Sequence, residues 1–471
     1  MKSYRDTMRH ILVFLVLFLL ALYQTVFAQQ RRPNIILILA DDAGYADFGF
    51  QGSSEFLTPN LDRLSEQGLR FTQAYVSAAV CGPSRAGLLT GKYQQRFGFE
   101  ENNVPGYMAP SSLPDDEMGL PLTERTMADH LRGLGYTTAL FGKWHQGNAD
   151  RFHPLRRGFD EFVGFRGGAR SYFPFGEGNP NNRPEDRLEE GFGRYREAPG
   201  YLTDYLAERA VDFIDRHQSS PFFLFLSFTA VHAPMDALPE DIAEFESLPE
   251  GRRQLAAMTL AMDRACGLLL DKLEREGLLE STLIVFTNDN GGPSDANYSD
   301  NSPLSGTKAN HLEGGIRVPF LMSMPGHISP GLYPHPVSTL DLLPTFYRLA
   351  GGQFTDLPEV DGVDLWPFLV GNEEGRPHQT LFWKKENRGA VREGDWKLLR
   401  FPDRPAELYD LSTDEGEQND LASGYPDLVR QLYKKLFEWE LTLERPAWQL
   451  QRKYEGDAMQ RMDRYRKPKT N

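Results

Sequence analysis

Residues 34–40 read NIILILA, an unbroken apolar run that ends directly at Asp41 and Asp42. A strand without polar positions is expected in a sheet covered on both faces, because a solvent-facing side would show as alternating polar residues. Apolar strand patterns and amphipathic helix patterns alternate along most of the chain that follows. The sequence therefore predicts an α/β fold whose large, mainly parallel central sheet is sandwiched by helices.

The strand and helix patterns are well separated as far as about residue 375. The predicted strands are 34–40, 136–141, 222–228, 282–287 and 318–322. The predicted helices are 58–68, 126–134, 201–217, 254–276 and 339–350. Turn-forming Thr, Pro and Gly residues bound several of these segments, which supports the assignment.

The pattern changes after residue 375. Short strand patterns at 381–385, 389–392, 396–401 and 407–411 are followed by a helix pattern at 426–445. We predict a larger domain over residues 29–375 and a C-terminal subdomain over 376–471, the latter a small antiparallel sheet with a helix. The polar residues 461–471 are expected to be frayed.

The first 28 residues have the layout of a secretion signal. Three basic residues lie among the first nine positions, an apolar run occupies 11–22, and VFA at 26–28 offers a cleavage site. The apolar run is short for a bilayer span. We therefore predict a signal peptide over 1–28, export to the periplasm or the exterior of a bacterium, and no stable membrane span.

The composition excludes several classes of protein. The formal net charge is −15 at neutral pH, which argues against nucleic acid as a partner and means that an anionic ligand needs a locally basic site. The two cysteines, Cys81 and Cys266, give no disulfide framework. Cys266 lies in an apolar helix pattern that is typical of core packing.

Polar side chains follow four of the predicted strands where each strand ends. These residues are Asp41 and Asp42, then Lys143 and His145, then His232, and finally Asp289 and Asn290. Ligands of open α/β sheets bind at the carboxyl ends of the strands, so we expect these groups to meet in one crevice. One acid after a strand is commonly a helix cap, but four such clusters on successive strands are not explained in that way.

Asp41, Asp42, Asp289 and Asn290 offer only oxygen ligands. Three carboxylates in one crevice would repel one another without a cation. Oxygen ligation favours Ca²⁺, with Mg²⁺ as the alternative, over zinc. The competing interpretation is that these are turn-forming residues, which the segment Asn290-Gly291-Gly292 by itself would support.

Residues 81–91, CGPSRAGLLTG, form the most specific local pattern in the chain. Pro83 suits the first turn of a helix, which places Cys81 at a helix N-terminus, where backbone N–H groups attract anions. Arg85, one turn further on, adds a planar cation suited to an oxyanion. The alternative is a buried thiol at a helix start, which is the common role of an isolated cysteine.

This pattern resembles the signature of the type I sulfatases, Cys-x-Pro-Ser-Arg followed by an apolar pair and Thr-Gly. Further segments resemble other motifs of that family, namely FGKWH at 141–145, VHAP at 231–234, GTK at 306–308 and EGGIRVP at 313–319. Phe141 is bulkier than the family pattern usually has at that position. The resemblance covers about residues 33–320 and implies an alkaline-phosphatase-like fold and the hydrolysis of sulfate esters.

The resemblance also implies how Cys81 is used. In the family this cysteine is oxidised to Cα-formylglycine (3-oxoalanine) by a formylglycine-generating enzyme or an anaerobic sulfatase-maturating enzyme, and the hydrated aldehyde attacks sulfur. By the same match, the metal ligands are Asp41, Asp42, Cys81, Asp289 and Asn290. The catalytic residues implied are Cys81, Arg85, Lys143, His145, His232 and Lys308.

Each catalytic residue has a role in the family mechanism. The resemblance implies that Arg85 helps to keep the hydrated aldehyde deprotonated. It implies that Lys143 and Lys308 bind the sulfate oxygens, and that His232 protonates the leaving alcohol. His145 then takes a proton from the second hydroxyl, so that sulfate leaves and the aldehyde returns.

The resemblance favours a sulfated carbohydrate as substrate, because exported bacterial members of the family most often act on such molecules. Arg166 and Arg170, in a Gly/Arg-rich loop, and His311, close after Lys308, are candidate substrate-binding residues; packing within the loops would explain them equally well. Two alternatives stay open. One is a phosphonate or phosphodiester hydrolase of the same superfamily, and the other is a non-catalytic protein that binds sulfated glycans.

Overall fold

The computed structural model describes residues 32–104, 108–109, 113–114, 116–175, 186–357 and 359–466. The predicted signal peptide at 1–28 lies outside the described residues. Within those ranges, no helix is long and apolar enough to cross a bilayer.

The strands define two main sheets. In chain order they are β1 Asn34–Ala40, β2 Leu69–Phe71, β3 Ala74–Tyr75, β4 Thr137–Lys143, β5 Glu161–Phe165, β6 Glu189–Glu190, β7 Phe222–Ser227, β8 Thr282–Asn288, β9 Phe320–Ser323, β10 Gly331–Tyr333, β11 Val337–Ser338, β12 Thr380–Lys385, β13 Arg388–Glu393, β14 Trp396–Arg400 and β15 Glu407–Asp410. In the described chain, the central sheet has the order β10-β2-β9-β8-β1-β7-β4-β5-β6. Strands β8, β1, β7, β4 and β5 run parallel, which confirms the predicted mainly parallel sheet.

Strand β1 lies at the centre of this sheet, between β7 and β8. All seven of its residues are buried. Ile36 and Ile38 pack into the hydrophobic core on one face, and Ile35, Leu37 and Leu39 pack into the core on the other face. The unbroken apolar run is therefore explained by helices on both sides, and each buried Ile or Leu contributes about 1.5–3 kcal/mol.

Helices cover both faces of the central sheet, as predicted. In chain order they are α1 Pro59–Glu66, α2 Cys81–Thr90, α3 Met127–Gly133, α4 Leu202–His217, α5 Pro239–Ala243, α6 Glu250–Arg275, α7 Glu313–Ile316, α8 Leu342–Leu349, α9 Trp366–Leu369, α10 Pro426–Glu440 and α11 Arg452–Arg464. Helices α1, α4 and α6 pack on one face, and α2, α3 and α8 pack on the other. Cys266 is buried in the core side of α6.

A second sheet, β12-β13-β14-β15, is antiparallel throughout. Helix α10 covers one of its faces, where Leu432 and Leu436 pack against Val391 and Leu398. The opposite face packs against Tyr75 and its neighbours in the larger domain. The predicted C-terminal sheet with a helix is confirmed.

Several short elements differ from the sequence patterns, since β2, β3, β6, β10 and β11 and helices α5, α7, α9 and α11 have no predicted counterpart. Strand β5 was not predicted, because Glu161 and Gly164 interrupt its short apolar run. The expectation of a frayed end is wrong for residues 461–466, which include the last turn of α11. Met459 and Met462 are the buried residues of this helix. Arg466 Nη1 lies 2.8 Å from Glu407 Oε2.

Candidate active site

The carboxyl ends of neighbouring parallel strands bring the predicted polar residues together. Asp41 and Asp42 follow β1, Lys143 is the last residue of β4, and Asp289 follows β8. Asp41, Asp42 and Asp289 are each no more than 2% exposed, and Lys143 is fully buried. This edge of the sheet therefore carries a dense group of charges that the solvent does not reach.

Cys81 is the first residue of helix α2 and points into this group. Its Sγ lies 3.7 Å from Asp41 Oδ1 and 3.1 Å from Lys308 Nζ. The next residue, Gly82, donates its backbone N–H to Asn102 Oδ1 at 2.7 Å. A side chain at Gly82 would crowd that oxygen, since a Cβ there would lie 2.9 Å from it. The start of the helix is thus fixed against the strand ends.

Each of the three carboxylates has a cationic partner. Asp41 Oδ2 lies 2.5 Å from Lys143 Nζ, and Asp289 Oδ2 lies 2.8 Å from Arg85 Nε. Lys308 Nζ donates to both oxygens of Asp42, at 2.6 and 2.7 Å. Arg85 also approaches Asp41, with Nη2 3.6 Å from Oδ2. The group therefore contains three carboxylates and three cationic side chains in direct contact.

Burial and these neighbours set the pKa values. Burial alone would raise the pKa of Asp41 and Asp42, but Lys143 and Lys308 outweigh it, and both carboxyls have lowered pKa values. Burial and the charge of Asp41 raise the pKa of Asp289 to about 6. Burial also raises the pKa of the Cys81 thiol to about 12, despite the two lysines. The unmodified thiol is therefore protonated at neutral pH, and a thiol is a much weaker nucleophile than a thiolate.

The two histidines lie beside the carboxylates in different settings. His145 has a left-handed backbone, φ 56°, which costs about 1–2 kcal/mol for a residue with a side chain. Its Nδ1 is buried with no hydrogen-bond partner among the described residues. His232 Nδ1 lies 2.6 Å from the backbone oxygen of Ala233, so Nδ1 carries a proton and Nε2 faces Asp42 Oδ2 at 3.5 Å. Burial lowers the pKa of both histidines.

The carboxylates form a cluster with the spacing of a cation site. Ligand atoms of Asp41, Asp42, Cys81 and Asp289 all lie within 4.8 Å of one another. Asn290 Nδ2 donates to Asp42 Oδ1 at 2.6 Å, while Asn290 Oδ1 is buried and has no hydrogen-bond partner in the described part of the chain. An orphaned amide oxygen beside three carboxylates is the donor set that a hard divalent cation takes. The residues therefore fit a Ca²⁺ or Mg²⁺ ion.

Supporting residues that the sequence patterns did not indicate hold this arrangement. Ser227, the last residue of β7, accepts from Arg85 Nη1 at 2.6 Å and donates to the backbone oxygen of Lys143 at 2.7 Å. Asn297 Nδ2 donates to the backbone oxygen of Asp42 at 2.8 Å. Ser227 ends a strand, so its position was a usable signal. Asn297 and Asn102 lie in loops without any local pattern.

The three candidate substrate-binding residues are placed differently. Arg166 forms a bidentate ion pair with Glu189, with both N···O distances 2.9 Å. It also pairs with Asp150 at 2.7 Å. Arg170 Nη2 pairs with Glu197 at 2.7 Å. Arg166 thus braces its loop, whereas Arg170 Nη1 is buried without a hydrogen-bond partner among the described residues. A contact of either guanidinium group with a substrate stays a prediction.

His311 is also a buried residue. It is 6% exposed, and burial together with the nearby charge of Arg388 holds its pKa well below the usual value. A neutral imidazole at this position offers a hydrogen bond but no charge. Its contact with a substrate stays a prediction.

The mainly parallel sheet, with charged side chains at its carboxyl edge, agrees with the alkaline-phosphatase-like fold that the sequence resemblance implies. A family model described as Sulfatase matches residues 33–352. Human arylsulfatase A is 35% identical over 463 residues, which cover 88% of this chain and 88% of the human protein. Mouse N-acetylgalactosamine-6-sulfatase is 34% identical over 402 residues, 81% of this chain and 75% of the mouse protein.

Among solved structures, the crystal structure of Ps i-CgsB in complex with k-i-k-neocarrahexaose superimposes with a TM-score of 0.83 at 35% identity. The match covers 92% of this chain and 98% of that chain. The chain therefore belongs to the sulfatase family and is an enzyme that hydrolyses sulfate esters.

Proposed function

We propose that this sulfatase releases inorganic sulfate from a sulfated carbohydrate, using a formylglycine made from Cys81 and a divalent cation. The observation that carries the proposal is the position of residue 81, at a helix start within 3.7 Å of Asp41 and 3.1 Å of Lys308. A nucleophile there meets the carboxylate cluster on one side and an ammonium group on the other.

Conversion of Cys81 gives the site a reversible nucleophile. The hydrated aldehyde offers one hydroxyl to attack sulfur and keeps a second hydroxyl whose deprotonation expels the sulfate. A serine ester of sulfate has no such exit and would need water to attack it. The aldehyde is made by a formylglycine-generating enzyme or an anaerobic sulfatase-maturating enzyme, which are the proposed maturation partners.

The cation would be held by Asp41, Asp42, Asp289 and Asn290, with residue 81 as a further ligand. When bound, a Ca²⁺ ion, or Mg²⁺ as the alternative, polarises oxygens of the ester and of the residue 81 hydroxyl. Three carboxylates also bring a negative charge that would repel sulfate. The basic side chains of the site offset this charge.

Lys143, Lys308 and Arg85 supply the positive charge for the sulfate oxygens. Lys143 and Lys308 are each tied to a carboxylate, so their ammonium groups are oriented before the ester binds. Preorganised donors of this kind stabilise charge that develops in the transition state without a cost of reorganisation at that moment. Charge on the sulfate oxygens and on the leaving oxygen is therefore matched by fixed cations.

The histidines move the protons. The attacking hydroxyl of residue 81 has first lost its proton to solvent, and Arg85 helps to keep it ionised. Its attack forms an oxygen–sulfur bond and breaks the bond between sulfur and the sugar oxygen. In its imidazolium form, which the charge of Asp42 favours, His232 keeps one proton on Nδ1 toward the backbone oxygen of Ala233. It gives the other, on Nε2, to that sugar oxygen, which leaves as an alcohol. His145 then takes a proton from the remaining hydroxyl, the carbon–oxygen bond to sulfate breaks, and the carbonyl forms again.

A carbohydrate substrate is supported by the relatives. Ps i-CgsB, at 35% identity, was crystallised with k-i-k-neocarrahexaose, and another relative is named for N-acetylgalactosamine 6-sulfate chemistry. The secretion signal predicted at 1–28 would place the enzyme in the periplasm or outside the cell, where sulfated polymers are met.

The first test is the mass of the peptide that contains residue 81, from protein produced beside a formylglycine-generating enzyme. We expect an aldehyde in place of the CH₂–SH group, and a hydrazide probe that labels it. The wild-type protein should then release sulfate from at least one sulfated sugar in a panel. An unmodified thiol together with full sulfatase activity would refute the formylglycine mechanism.

Two measurements test the remaining parts of the proposal. Chelation with EDTA should abolish sulfate release, and added Ca²⁺ or Mg²⁺ should restore it, which identifies the preferred ion. Rates on matched sulfate, phosphate and phosphonate esters should favour sulfate. Faster hydrolysis of the phosphorus esters would overturn the proposed reaction in favour of a phosphonate or phosphodiester hydrolase.

A further inference from the structure

A cavity of about 390 Å³ lies outside the carboxylate cluster and is rich in arginine. We call it the arginine cavity, and its charged lining residues are Arg125, Arg151, Arg156, Arg157, Glu124 and Asp129. Four arginines in one cavity are unexpected in a protein whose net charge is −15. The local excess of positive charge identifies it as a candidate site for an anion.

In the part of the chain that the structure describes, none of these four arginines forms a close ion pair with a carboxylate, although Asp129 and Glu124 act on Arg157 at longer range. Arg125, Arg151 and Arg157 donate instead to backbone carbonyls. Arg125 Nη2 lies 3.3 Å from Asp129 O, Arg151 Nη2 lies 2.6 Å from Asp116 O, and Arg157 Nη1 lies 2.6 Å from Leu120 O. Carbonyl partners leave the net charge of a guanidinium group in place.

The two acids of the cavity are engaged elsewhere. Glu124 forms an ion pair with Lys92 at 2.9 Å. Asp129 caps the start of helix α3, where its Oδ2 accepts from the backbone N–H of Thr126 at 3.0 Å. The cavity therefore keeps a positive charge that a bound anion would balance.

Two of the guanidinium groups lie over aromatic rings. Arg151 stacks over Phe152, with 4.9 Å from Cζ to the ring centroid, and Arg156 stacks over Phe192 at 5.0 Å. A contact with the ring occupies the face of the guanidinium group and leaves its edge N–H groups to donate; Arg151 uses Nη2 for the backbone oxygen of Asp116 and keeps the others. Paired edge donors are the arrangement that matches two oxygens of a sulfate group.

The cavity is connected to the active site by a short, braced loop. Arg151 and Arg156 lie on the single-turn helices Asp150–Phe152 and Pro154–Arg156, in the loop that follows His145. Arg151 is six positions after His145, so their Cα atoms are at most about 21 Å apart. The backbone of Gly147 bridges to Gly119, which fixes the path of the loop. This upper limit sets the length that a ligand reaching both places would need.

We propose that the arginine cavity binds a second sulfate group on the same carbohydrate chain whose first sulfate is hydrolysed. This inference rests on the proposed carbohydrate substrate. Binding at the cavity would offset the repulsion between a negatively charged protein and a polyanionic substrate, and would favour substrates that carry several sulfates. Free inorganic sulfate has the same binding chemistry, and the experiment separates the two sources.

The test compares the wild-type enzyme with the double variant Arg151→Gln/Arg156→Gln. Its substrates are 4-nitrophenyl sulfate, with one sulfate, and two multiply sulfated hexasaccharides, k-i-k-neocarrahexaose and a heparin hexasaccharide. Loss of two charge-assisted pairs should weaken binding of a hexasaccharide about 10- to 100-fold. For a hexasaccharide that the enzyme hydrolyses, KM should rise in the double variant. This rise should exceed any rise in KM for 4-nitrophenyl sulfate by at least about 10-fold.

Binding is measured separately by calorimetry, with each hexasaccharide and with inorganic sulfate. Weaker hexasaccharide binding by the double variant supports the proposal. If the variant loses only inorganic sulfate and binds the hexasaccharides as the wild type does, the cavity serves the free ion and the proposal is wrong. Because calorimetry needs no turnover, the cavity is tested even if no sulfated sugar is hydrolysed, which would count against the proposed function alone.

A matched control removes two charges elsewhere. Arg430→Gln/Lys434→Gln changes two residues of α10 whose side chains are 70% and 76% exposed. If this control weakens hexasaccharide binding as much as the cavity variant does, the effect is general electrostatics and the proposal fails. Arg125→Gln, on a separate segment, gives an independent variant that should show the same selective loss.

Discussion

Two buried groups of charged side chains in this molecule have a similar composition. They differ in how many buried polar atoms in and beside them lack a hydrogen-bond partner. The first is the active-site cluster, formed by Asp41, Asp42, Asp289, Arg85, Lys143 and Lys308. The second is the docking cluster, formed by Tyr75, Glu313, Arg392, Lys397 and Glu417. Lys397 Nζ lies 2.7 Å from Glu313 Oε1 and 2.8 Å from Glu417 Oε1.

The docking cluster joins the two parts of the fold. Tyr75 and Glu313 belong to the larger domain, and the Tyr75 hydroxyl donates to Glu313 Oε2 at 2.6 Å. Lys397 and Arg392 belong to the C-terminal sheet, and Arg392 contacts the Tyr75 hydroxyl. The charges of this cluster are directed at one another across the interface.

The active-site cluster is different because several buried polar atoms in and beside it lack a hydrogen-bond partner. Among the described members of the docking cluster this holds for Glu417 Oε1 alone, and Lys397 Nζ lies 2.8 Å from that oxygen. Arg85 Nη2, His145 Nδ1 and Asn290 Oδ1 are buried and make no hydrogen bond within the described chain. Unpaired buried atoms also occur elsewhere in the described chain, for example Trp439 Nε1. Those of the active-site cluster matter because they lie beside three carboxylates and Cys81, where a ligand would supply the missing partners. Buried charge by itself is therefore a poor indicator of function.

The largest expected effect comes from Cys81→Ala. Because the nucleophile is lost, sulfate release should fall at least about 10⁴-fold, while the free energy of unfolding in urea stays within about 1 kcal/mol of wild type. The matched control is Cys266→Ala in the core of α6, which should keep its activity and lose about 1 kcal/mol of stability. The opposite result in either variant would contradict the assignment of residue 81.

The next effect concerns the docking cluster and should fall on stability. Lys397→Met leaves two buried glutamates without their shared cation, which should lower the free energy of unfolding by about 3–5 kcal/mol. Lys435→Met removes a surface lysine, 41% exposed and paired with Glu393, and should cost less than about 1 kcal/mol. If kcat of folded Lys397→Met protein fell strongly while its free energy of unfolding stayed at the wild-type value, the docking cluster would serve catalysis and the two clusters would not differ in function.

A third effect tests the proton donor. His232→Ala should slow hydrolysis of a sugar sulfate about 10²- to 10⁴-fold, and should slow 4-nitrophenyl sulfate much less, because 4-nitrophenolate leaves without a proton. Rates on aryl sulfates of graded leaving-group pKa measure this trend. The control is His217→Ala, a surface histidine of α4 that pairs with Glu161. Equal losses on all the esters would exclude His232 as the general acid.

The smallest effect is a pH dependence within the docking cluster. Burial, with the charge of Glu313 acting in the same direction and Lys397 opposing it, raises the pKa of Glu417 to about 7. A raised pKa in the folded state stabilises the protein at low pH, and this contribution is lost as pH rises from about 4.5 to about 7. Glu417→Gln removes the proton linkage, so the stability of wild type relative to this variant should fall by about 1–3 kcal/mol between pH 5 and 7.5.

Urea unfolding of wild type and Glu417→Gln at pH 5, 6 and 7.5 measures this difference. A constant difference at all three values would mean that Glu417 is ionised throughout. The docking cluster would then hold two full negative charges at every pH tested.

The sequence by itself determined the architecture and the members of the active-site cluster. The run at 34–40 predicted the central strand because a two-sided core leaves no polar position in it. Residues 81–91 predicted a helix that begins at Cys81, and helix α2 spans Cys81–Thr90. These signals are local, since they depend on side-chain periodicity and on residues that suit helix starts and strand ends.

Only the tertiary structure decided which atoms meet. Lys308 pairs with Asp42, 266 residues away, and Ser227 fixes Arg85 from the end of another strand. Arg166 is held by Glu189 inside its own loop, although its sequence setting was equally compatible with substrate binding. Such pairings depend on the order of strands in the sheet and on the paths of loops, and neither is encoded in the local periodicity of the chain.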